Sequence, residues 1–85
     1  MDEVALHRLE MRVQRIFLER MQFDVHSVEE DLFDSGVVDS LSFVELLVHL
    51  EEEFGTRIEI EELDLDDFRT ISKIARVLSP NGNRP

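Results

Sequence analysis

The chain has 85 residues, a formal net charge of −11 and no cysteine. This length allows one small domain with a modest core, and without thiols neither disulfides nor thiolate metal sites can stabilise it. A negative surface repels phosphate, which excludes nucleic acids and anionic lipids as favoured partners. No apolar run reaches the roughly 20 residues that cross a membrane, and the charged N-terminus does not resemble a secretory signal, so we expect a cytoplasmic protein.

The first predicted element is a helix from about Glu3 to Met21, because apolar residues recur there at helical spacing. A loop over residues 22–39 follows. It is long for so small a domain, so we expect it to be functional or well packed. Five of its apolar residues are predicted to point inward and anchor it to the core: Phe23, Val25, Val28, Leu32 and Phe33.

The second helix is predicted from Ser40 to Phe54, with Gly55 in the usual position after a helix end. One apolar stripe on this helix should face the core, namely Phe43, Leu46, Leu47, Leu50 and Phe54. A second apolar line runs beside three glutamates, and this set comprises Leu41, Val44, Val48, Glu45, Glu51 and Glu52. An apolar patch with a charged rim indicates an interaction site.

The C-terminal part is predicted to hold a brief helical turn near Glu61–Leu65 and a last helix from Ile71 to Leu78, for which Thr70 resembles an N-cap. These elements predict an all-α fold: a small four-helix bundle with three main helices and one short helix. Residues 1–78 are expected to form a single domain. Residues 79–85 are expected to be a flexible tail, because they hold almost nothing to bury.

Negative charge is concentrated in the middle of the chain. Residues 24–68 hold sixteen acids and a single base, Arg57, whereas residues 1–23 hold four of each sign and residues 69–85 hold four bases and no acid. Such a field attracts basic protein surfaces. An acidic surface that serves only solubility stays open as an alternative, but it does not explain why the acids surround Ser40.

Ser40 stands where a polar turn passes into the second predicted helix. Gly36 permits the turn, because glycine adopts a positive φ without a steric penalty. Either Asp39 or Ser40 can cap the helix by accepting a hydrogen bond from a free backbone N–H. A group attached to Ser40 would lie at the positive end of the helix, which favours a phosphate ester. The simpler alternative is that Ser40 only caps the helix.

Nucleophilic catalysis by Ser40 would require a base and an orienting group. Of the three histidines, His7 belongs to the first helix and His49 lies roughly 13 Å along the second helix from Ser40. His26 could approach through the loop, but its neighbours offer no oxyanion site. The acids also lack the pattern of a calcium loop. We therefore predict no catalytic residue and no metal site, and a serine that receives chemistry from another protein.

Three motifs together resemble the phosphopantetheine-attachment region of acyl carrier proteins: L-F-D-x-G-x-x-D-S-L at residues 32–41, E-L-L-x-x-L-E-E-E-F at 45–54 and F-R-T-I at 68–71. The resemblance implies a carrier that is not an enzyme. It implies 4′-phosphopantetheine, taken from coenzyme A, on Ser40 with Asp39 and Leu41 beside it. It further implies that partners contact four residues of the second helix: Val44, Glu45, Val48 and Glu52.

The partners implied by this resemblance are a phosphopantetheinyl transferase, an acyl- or aminoacyl-loading ligase and a downstream transferase or synthase. Each is expected to present a basic docking surface to the acidic carrier, which we expect to be a monomer. The arm ends in a thiol that carries an acyl group as a thioester. Tethering raises the effective concentration of that group at a docked enzyme.

Within the family, the motifs are most similar to discrete D-alanyl and aminoacyl carrier proteins. This implies a free-standing carrier of an aminoacyl or short acyl group in a specialised pathway, such as secondary-metabolite, aminoacyl or D-alanyl biosynthesis. Fatty-acid carriers commonly have an acid at the position of Ser42 and a small residue at that of Phe43, which in the family faces the cavity that shelters acyl chains. Peptidyl carrier domains usually have two glycines in place of Val37 and Val38. A fatty-acid synthesis carrier, an unmodified carrier-like scaffold and a serine hydrolase stay open as alternatives.

Overall fold

A computed structural model describes residues 3–79 and contains three α-helices and two 3₁₀ turns. The helices are α1 (Glu3–Glu19), α2 (Ser40–Phe54) and α3 (Ile71–Leu78), and the 3₁₀ turns are Ile60–Glu62 and Leu65–Phe68. The predicted all-α fold is confirmed, and so are the bounds of α2 and α3. The short fourth helix is corrected: near Glu61–Leu65 the chain forms two successive 3₁₀ turns.

Helix α1 ends at Glu19, two residues earlier than the apolar pattern predicted. The amides of Arg20 and Met21 both donate to the carbonyl of Ile16, at 2.9 and 3.2 Å. Gln22 then adopts a φ of 62°, in the left-handed region that glycine usually occupies at helix ends. The chain turns back there without the glycine that would have revealed the turn in the sequence.

The core is built from the predicted inner faces of the three helices together with the loop between α1 and α2. Helix α1 packs against both α3 and α2. Each fully buried apolar side chain contributes about 1.5–3 kcal/mol relative to leaving it in water. The most completely buried large side chains are Phe17, Phe68, Leu32, Leu46, Leu50, Ile71, Ile74, Val13 and Val25.

The loop over residues 20–39 is firmly attached to the rest of the domain. Of its five predicted anchors, Val25 and Leu32 are buried, and the other three are half-buried against the core. Two backbone hydrogen bonds join the loop to Arg69, just before α3, and to the first turn of α3: the Leu32 amide donates to the Arg69 carbonyl at 2.7 Å, and the Ser72 amide donates to the Val28 carbonyl at 3.0 Å. The expectation of a well-packed loop is therefore confirmed.

Side-chain caps fix the starts of α2 and α3. Asp39 accepts a hydrogen bond from the Ser42 amide at 2.8 Å, and Thr70 accepts one from the Lys73 amide at 3.1 Å. Gly55 ends α2 with a φ of 62°. Each cap satisfies one of the backbone groups that a helix end leaves without a partner inside the helix.

The predicted flexible tail begins at Ser79, which the structure shows to be buried. The Ser79 amide donates to the carbonyls of Ala75 and Arg76, so this residue completes the end of α3. The remainder of the predicted tail, residues 80–85, lies outside the described residues, as do residues 1 and 2 at the start of the predicted domain. Within residues 3–79, no helix is long and apolar enough to cross a membrane.

The hydrogen bond from the Ser42 amide lowers the pKa of the Asp39 carboxyl below its ordinary value of 3.8, since this bond favours the charged form. Because the folded-state pKa lies below the unfolded one, the unfolded chain takes up this proton first as the pH falls. The stabilisation by Asp39 is thus fully present above pH 3.8 and is lost as the pH falls through the folded-state pKa.

We expect Asp39→Ala to lower the melting temperature at pH 7 by about 5 °C, because α2 loses its N-cap. The difference from the unmodified chain should shrink as the pH falls below 3.8 toward the lower pKa of the native carboxyl. The measurement is thermal unfolding followed by circular dichroism between pH 3 and pH 7.

The matched control is Asp34→Ala, which removes the same charge from an exposed residue of the same loop that caps no helix. Its melting temperature should differ from that of the unmodified chain by much less at every pH. A loss for Asp39→Ala that stays constant down to pH 3, or an equal loss for Asp34→Ala, would contradict the assigned cap.

Candidate functional site

Ser40 is the first residue of α2 and is exposed. The sequence left open whether Asp39 or Ser40 caps the helix, and the structure shows that Asp39 does so. Within residues 3–79, no hydrogen bond occupies the Ser40 hydroxyl. The simpler alternative, in which Ser40 serves only as the helix cap, is therefore wrong. The Ser40 hydroxyl is free to contact another molecule.

The surroundings of Ser40 suit a covalently attached phosphate ester. The N-terminus of a helix carries a partial positive charge and free amide groups, which favour a phosphate there. The neighbouring Leu41 is 72% exposed, so a long substituent on Ser40 can extend into solvent without displacing core residues. The site can thus hold phosphopantetheine, whose chemistry requires a hydroxyl for attachment and open space for the arm.

The segment before Ser40 is held in place by one buried residue. Val38 is 3% exposed, and its amide donates to the carbonyl of Leu32 at 3.0 Å. Gly36 turns the chain between Leu32 and Val38. Its φ of 83° is the positive value that the sequence predicted for this glycine. Burial of Val38 therefore fixes one side of the segment, while Ser40, two residues later, lies at the surface.

The second apolar line predicted on α2 is exposed, as expected. Leu41, Val44 and Val48 are 72%, 49% and 46% exposed, and the adjacent Glu45 and Glu52 are also exposed. We refer to these five residues as the outer strip. The strip begins beside Ser40 and follows the side of α2 that faces away from the core, so another protein that reaches Ser40 can contact it.

The three glutamates that the sequence placed beside the apolar line have different environments. Glu51 turns back and accepts a hydrogen bond from the Ile58 amide at 2.7 Å, so it holds the loop after α2. Glu52 forms an ion pair with Arg20 at 3.1 Å. Glu45 has no ion pair or side-chain hydrogen bond within the described part of the chain. The sequence pattern could not distinguish these three carboxylates, because their partners are contributed by other segments.

Phe43 faces the core next to the start of α2 and is enclosed by two other rings. Its ring centroid lies 5.8 Å from that of Phe33 and 5.6 Å from that of Phe68, the latter pair edge to face. Such pairs are favourable beyond the area that they bury. With Phe43 only 8% exposed, the three rings occupy the interior directly beneath the attachment end of α2.

The histidines contact groups other than Ser40. His49 lies 3.3 Å from an Arg20 guanidinium nitrogen, His7 lies 3.7 Å from Glu10, and the third, His26, lies 3.8 Å from Asp24. Across the described range, no group of three or more histidine, aspartate or glutamate side chains is arranged to hold a metal ion. None of these three contacts involves Ser40.

Two arginines make polar contacts that were not anticipated from the sequence. Arg20, just after α1, reaches Glu52 and His49 of α2, and Arg69 reaches Asp31 of the loop at 3.2 Å. The partners are separated by 29 to 38 residues along the chain. No local spacing rule connects residues so far apart; only the F-R-T-I motif, which includes Arg69, drew attention to one of them.

Comparison with known proteins supports the interpretation of this site. The family described as "Phosphopantetheine attachment site" matches residues 12–78. The chain is also similar to D-alanyl carrier proteins of Streptococcus pyogenes, for example those of serotypes M5, M49 and M1. Each is 44% identical to it over 62 residues, which cover 73% of this chain and 75% of the relative.

The family match covers most of the described residues, including the loop, α2 and α3, and the identity to the carrier proteins extends over nearly three quarters of the chain. Both matches agree with the motifs from which the family resemblance was predicted. The cofactor of such a carrier is covalently bound 4′-phosphopantetheine, and its function is to carry an acyl group on that arm. The chain therefore belongs to the acyl carrier protein family of phosphopantetheine-bearing carriers.

Proposed function

We propose that Ser40 is the residue that bears the 4′-phosphopantetheine arm, and that the cargo is a D-alanyl group or a similarly small aminoacyl or acyl group. The observation that carries the proposal is the exposed Ser40 hydroxyl at the start of α2, left free because Asp39 provides the cap. The similarity to D-alanyl carrier proteins supports this cargo over a fatty acyl chain.

Attachment is a group transfer to the Ser40 oxygen. A bond forms between that oxygen and the phosphorus of the phosphopantetheine moiety, the pyrophosphate bond of coenzyme A breaks, and adenosine 3′,5′-bisphosphate leaves. The hydroxyl proton is taken up by the transferase that catalyses the step. The attached arm supplies a thiol, which this cysteine-free chain lacks, and a thioester on that thiol is the carried form of the cargo.

Asp39 and Leu41 flank the attachment residue with different roles. Asp39 sets the first turn of α2 through its bond to the Ser42 amide and so fixes where Ser40 stands. Among the described residues, Leu41 is the most exposed large apolar side chain, and it supplies contact area next to the reacting hydroxyl. A transferase that binds Leu41 therefore places its own catalytic groups close to Ser40.

Carriers of this family work with a phosphopantetheinyl transferase and with ligases and transferases that load and unload the arm. We assign their docking to the outer strip of α2: Leu41, Val44 and Val48 supply apolar contact, Glu45 offers a carboxylate to basic groups of the partner, and Glu52 offers a second one that Arg20 partly neutralises. Exposed ion pairs are weak, typically about 0–1 kcal/mol each, which suits complexes that must form and dissociate at every step.

In this proposal the chain acts as a cytoplasmic monomer and contains no catalytic residue of its own. The local contacts of His7, His26 and His49 support that assignment, since each engages a residue other than Ser40. The net charge of −11 also favours a monomer, because copies of the chain repel one another. The acidic field still attracts enzymes that present basic surfaces.

Small cargo is supported by the three packed rings beneath α2. A long acyl chain can leave water only if the core offers it room, and Phe43, Phe33 and Phe68 fill the space next to the arm. Core packing at normal density leaves no cavity of that size without displacing a side chain. A small polar group such as D-alanyl needs no such shelter.

The attachment proposal is tested by incubating the purified chain with a broad-specificity phosphopantetheinyl transferase and coenzyme A, followed by intact mass spectrometry. We expect a gain of one phosphopantetheine, which Ser40→Ala abolishes. The control is Ser42→Ala, two residues further along α2, which should still be modified.

Three other outcomes have distinct meanings. No gain with a competent transferase would favour an unmodified carrier-like scaffold. A gain that persists in Ser40→Ala would place the arm elsewhere. Ester hydrolysis by the unmodified chain, lost in Ser40→Ala, would indicate a serine hydrolase instead.

The docking proposal predicts unequal effects for the two glutamates of the outer strip. Glu45→Gln should lower kcat/KM for loading by the transferase about threefold at low ionic strength, because its carboxylate is available to a basic partner. Glu52→Gln should change kcat/KM by less than about 1.5-fold, because Arg20 already neutralises Glu52.

The Glu52 effect should emerge when its intramolecular partner is removed. In an Arg20→Gln background, Glu52→Gln should cost about as much as Glu45→Gln does in the native background. Salt should reduce every one of these differences. A Glu52→Gln loss equal to that of Glu45→Gln with Arg20 present would show that the ion pair does not shield Glu52 from partners.

The cargo proposal is tested by comparing octanoyl and acetyl forms of the carrier, each loaded from the corresponding coenzyme A thioester. In the native chain we expect the two forms to melt within about 1 °C of each other, because the octanoyl chain gains no burial. In Phe43→Leu, which opens space while keeping an apolar side chain, the octanoyl form should melt higher than the acetyl form.

Nuclear magnetic resonance gives a second, direct readout. The ring protons of Phe33, Phe43 and Phe68 should keep their chemical shifts when the acetyl group is replaced by octanoyl in the native chain. An octanoyl chain fully buried beside Phe43 would refute the proposed exclusion of long acyl chains.

A further inference from the structure

Arg69 joins two segments that lie far apart in the sequence. Its guanidinium Nη1 donates to both carboxylate oxygens of Asp31, at 3.2 and 3.4 Å, and its Nε donates to Asp66 at 2.6 Å. The same guanidinium lies 5.7 Å from the ring centroid of Phe33. One side chain therefore connects the second 3₁₀ turn to the loop that leads to Ser40.

The backbone at Arg69 reinforces this connection. The Leu32 amide donates to the Arg69 carbonyl at 2.7 Å, so main chain and side chain of Arg69 hold adjacent residues of the loop. A lone surface ion pair can form and break without consequence. Here two carboxylates hold the guanidinium, and the backbone hydrogen bond to Leu32 lies beside it. Together the side-chain and backbone contacts restrict the movement of the loop at Asp31 and Leu32.

Asp31 is the residue through which Arg69 acts on the loop. Its Oδ1 accepts hydrogen bonds from the amides of Asp34 at 2.9 Å and Phe33 at 3.1 Å, which shapes the turn after it. These amides, the Asp34 amide foremost, and the Arg69 charge lower the pKa of the Asp31 carboxyl. Asp31 therefore stays ionised and paired with Arg69 at neutral pH.

The connection continues from Asp31 to Ser40 through short steps. The turn after Asp31 leads to Gly36, and the Val38 amide returns to the Leu32 carbonyl at 3.0 Å. Asp39 follows directly as the cap of α2. Residues 31–38 thus form one closed turn, held at its base by Arg69, and we call this segment the attachment turn.

We propose that Arg69 is a positioning residue for phosphopantetheine attachment, which holds the attachment turn so that the transferase meets the Ser40 hydroxyl in one fixed orientation. This inference rests on the proposed function of Ser40. Arg69 does not touch the reacting atoms; it acts through Asp31 and Leu32. The outer strip on α2 is separate from the attachment turn, so docking and presentation of the hydroxyl depend on different residues.

The test compares the kinetics of transferase-catalysed loading for Arg69→Gln and Arg57→Gln in the full chain. Both changes remove one positive charge. Arg69→Gln breaks the ion pairs with Asp31 and Asp66, whereas Arg57→Gln breaks a single pair with Glu59 beyond the end of α2, away from the attachment turn. We expect Arg69→Gln to lower kcat about tenfold with KM for the carrier unchanged, because orientation is lost while docking is kept. Arg57→Gln should leave both constants unchanged.

Further variants separate positioning from general stability. Arg69→Lys keeps the charge but not the forked geometry, and it should recover only part of kcat. Asp31→Asn should lower kcat as Arg69→Gln does. The double variant should be no slower than either single variant, because both changes break the same contact between Asp31 and Arg69. Amide hydrogen exchange at Val38 should accelerate in Arg69→Gln, with exchange at Leu46 and Leu50 unchanged.

A purely structural role gives a different result. If Arg69→Gln only unfolds part of the population, the apparent KM rises, kcat is unchanged and exchange accelerates throughout α2. That outcome overturns the inference, as does an Arg69→Gln chain that is loaded as fast as Arg57→Gln. By contrast, a native chain that gains no phosphopantetheine, or a Ser40→Ala chain that still gains it, overturns the attachment proposal itself.

Discussion

The hydrogen bond between the Ser42 amide and the Asp39 carboxylate is the interaction on which the site depends. It starts α2 at Ser40 and leaves the serine hydroxyl free. The cap fixes where α2 begins, whereas burial of Phe43, Leu46 and Leu50 fixes which side of the helix faces the core. Because successive side chains differ by about 100° around a helix, these two constraints together place Ser40 and Val44 at the surface.

The loop before α2 has to be rigid for this arrangement to matter. Most of its backbone has no regular secondary structure, and it is held instead by Val25 and Leu32 in the core and by backbone hydrogen bonds to Arg69 and Ser72. Helix α1 meets the other two helices and provides the surface on which they pack. The core residues of the loop and of the three helices therefore together hold the start of α2 in place.

Much of the fold could be predicted because its signals are local. The bounds of α2 and α3 follow from apolar spacing together with Gly55 and Thr70, whose roles are typical of their residue types. The end of α1 was wrong by two residues because Gln22, which carries no turn signal, adopts the left-handed conformation there. The short fourth helix was wrong in kind, since two 3₁₀ turns and one α-helical turn use similar residues.

The geometry of the candidate site could also be predicted where its signals are local. The place of Ser40 at the helix start and the exposure of the outer strip can be read from spacing along α2. The separate environments of Glu45, Glu51 and Glu52 could not be predicted, because Arg20 and the Ile58 amide come from other segments. The contact between Arg69 and Asp31 was missed likewise, as its partners lie 38 residues apart.

The buried and the exposed side of α2 contribute differently to the protein, and this separation has an evolutionary consequence. The inner side, with Phe43, Leu46 and Leu50, holds the domain together, while Leu41, Val44 and Val48 keep 72%, 49% and 46% of their surface exposed and contribute less to stability. Exchanges at these three positions therefore cost less in folding than exchanges on the inner side. Under the docking proposal, a lineage of such carriers can acquire new client enzymes by altering one surface of a single helix, while its interior stays the same.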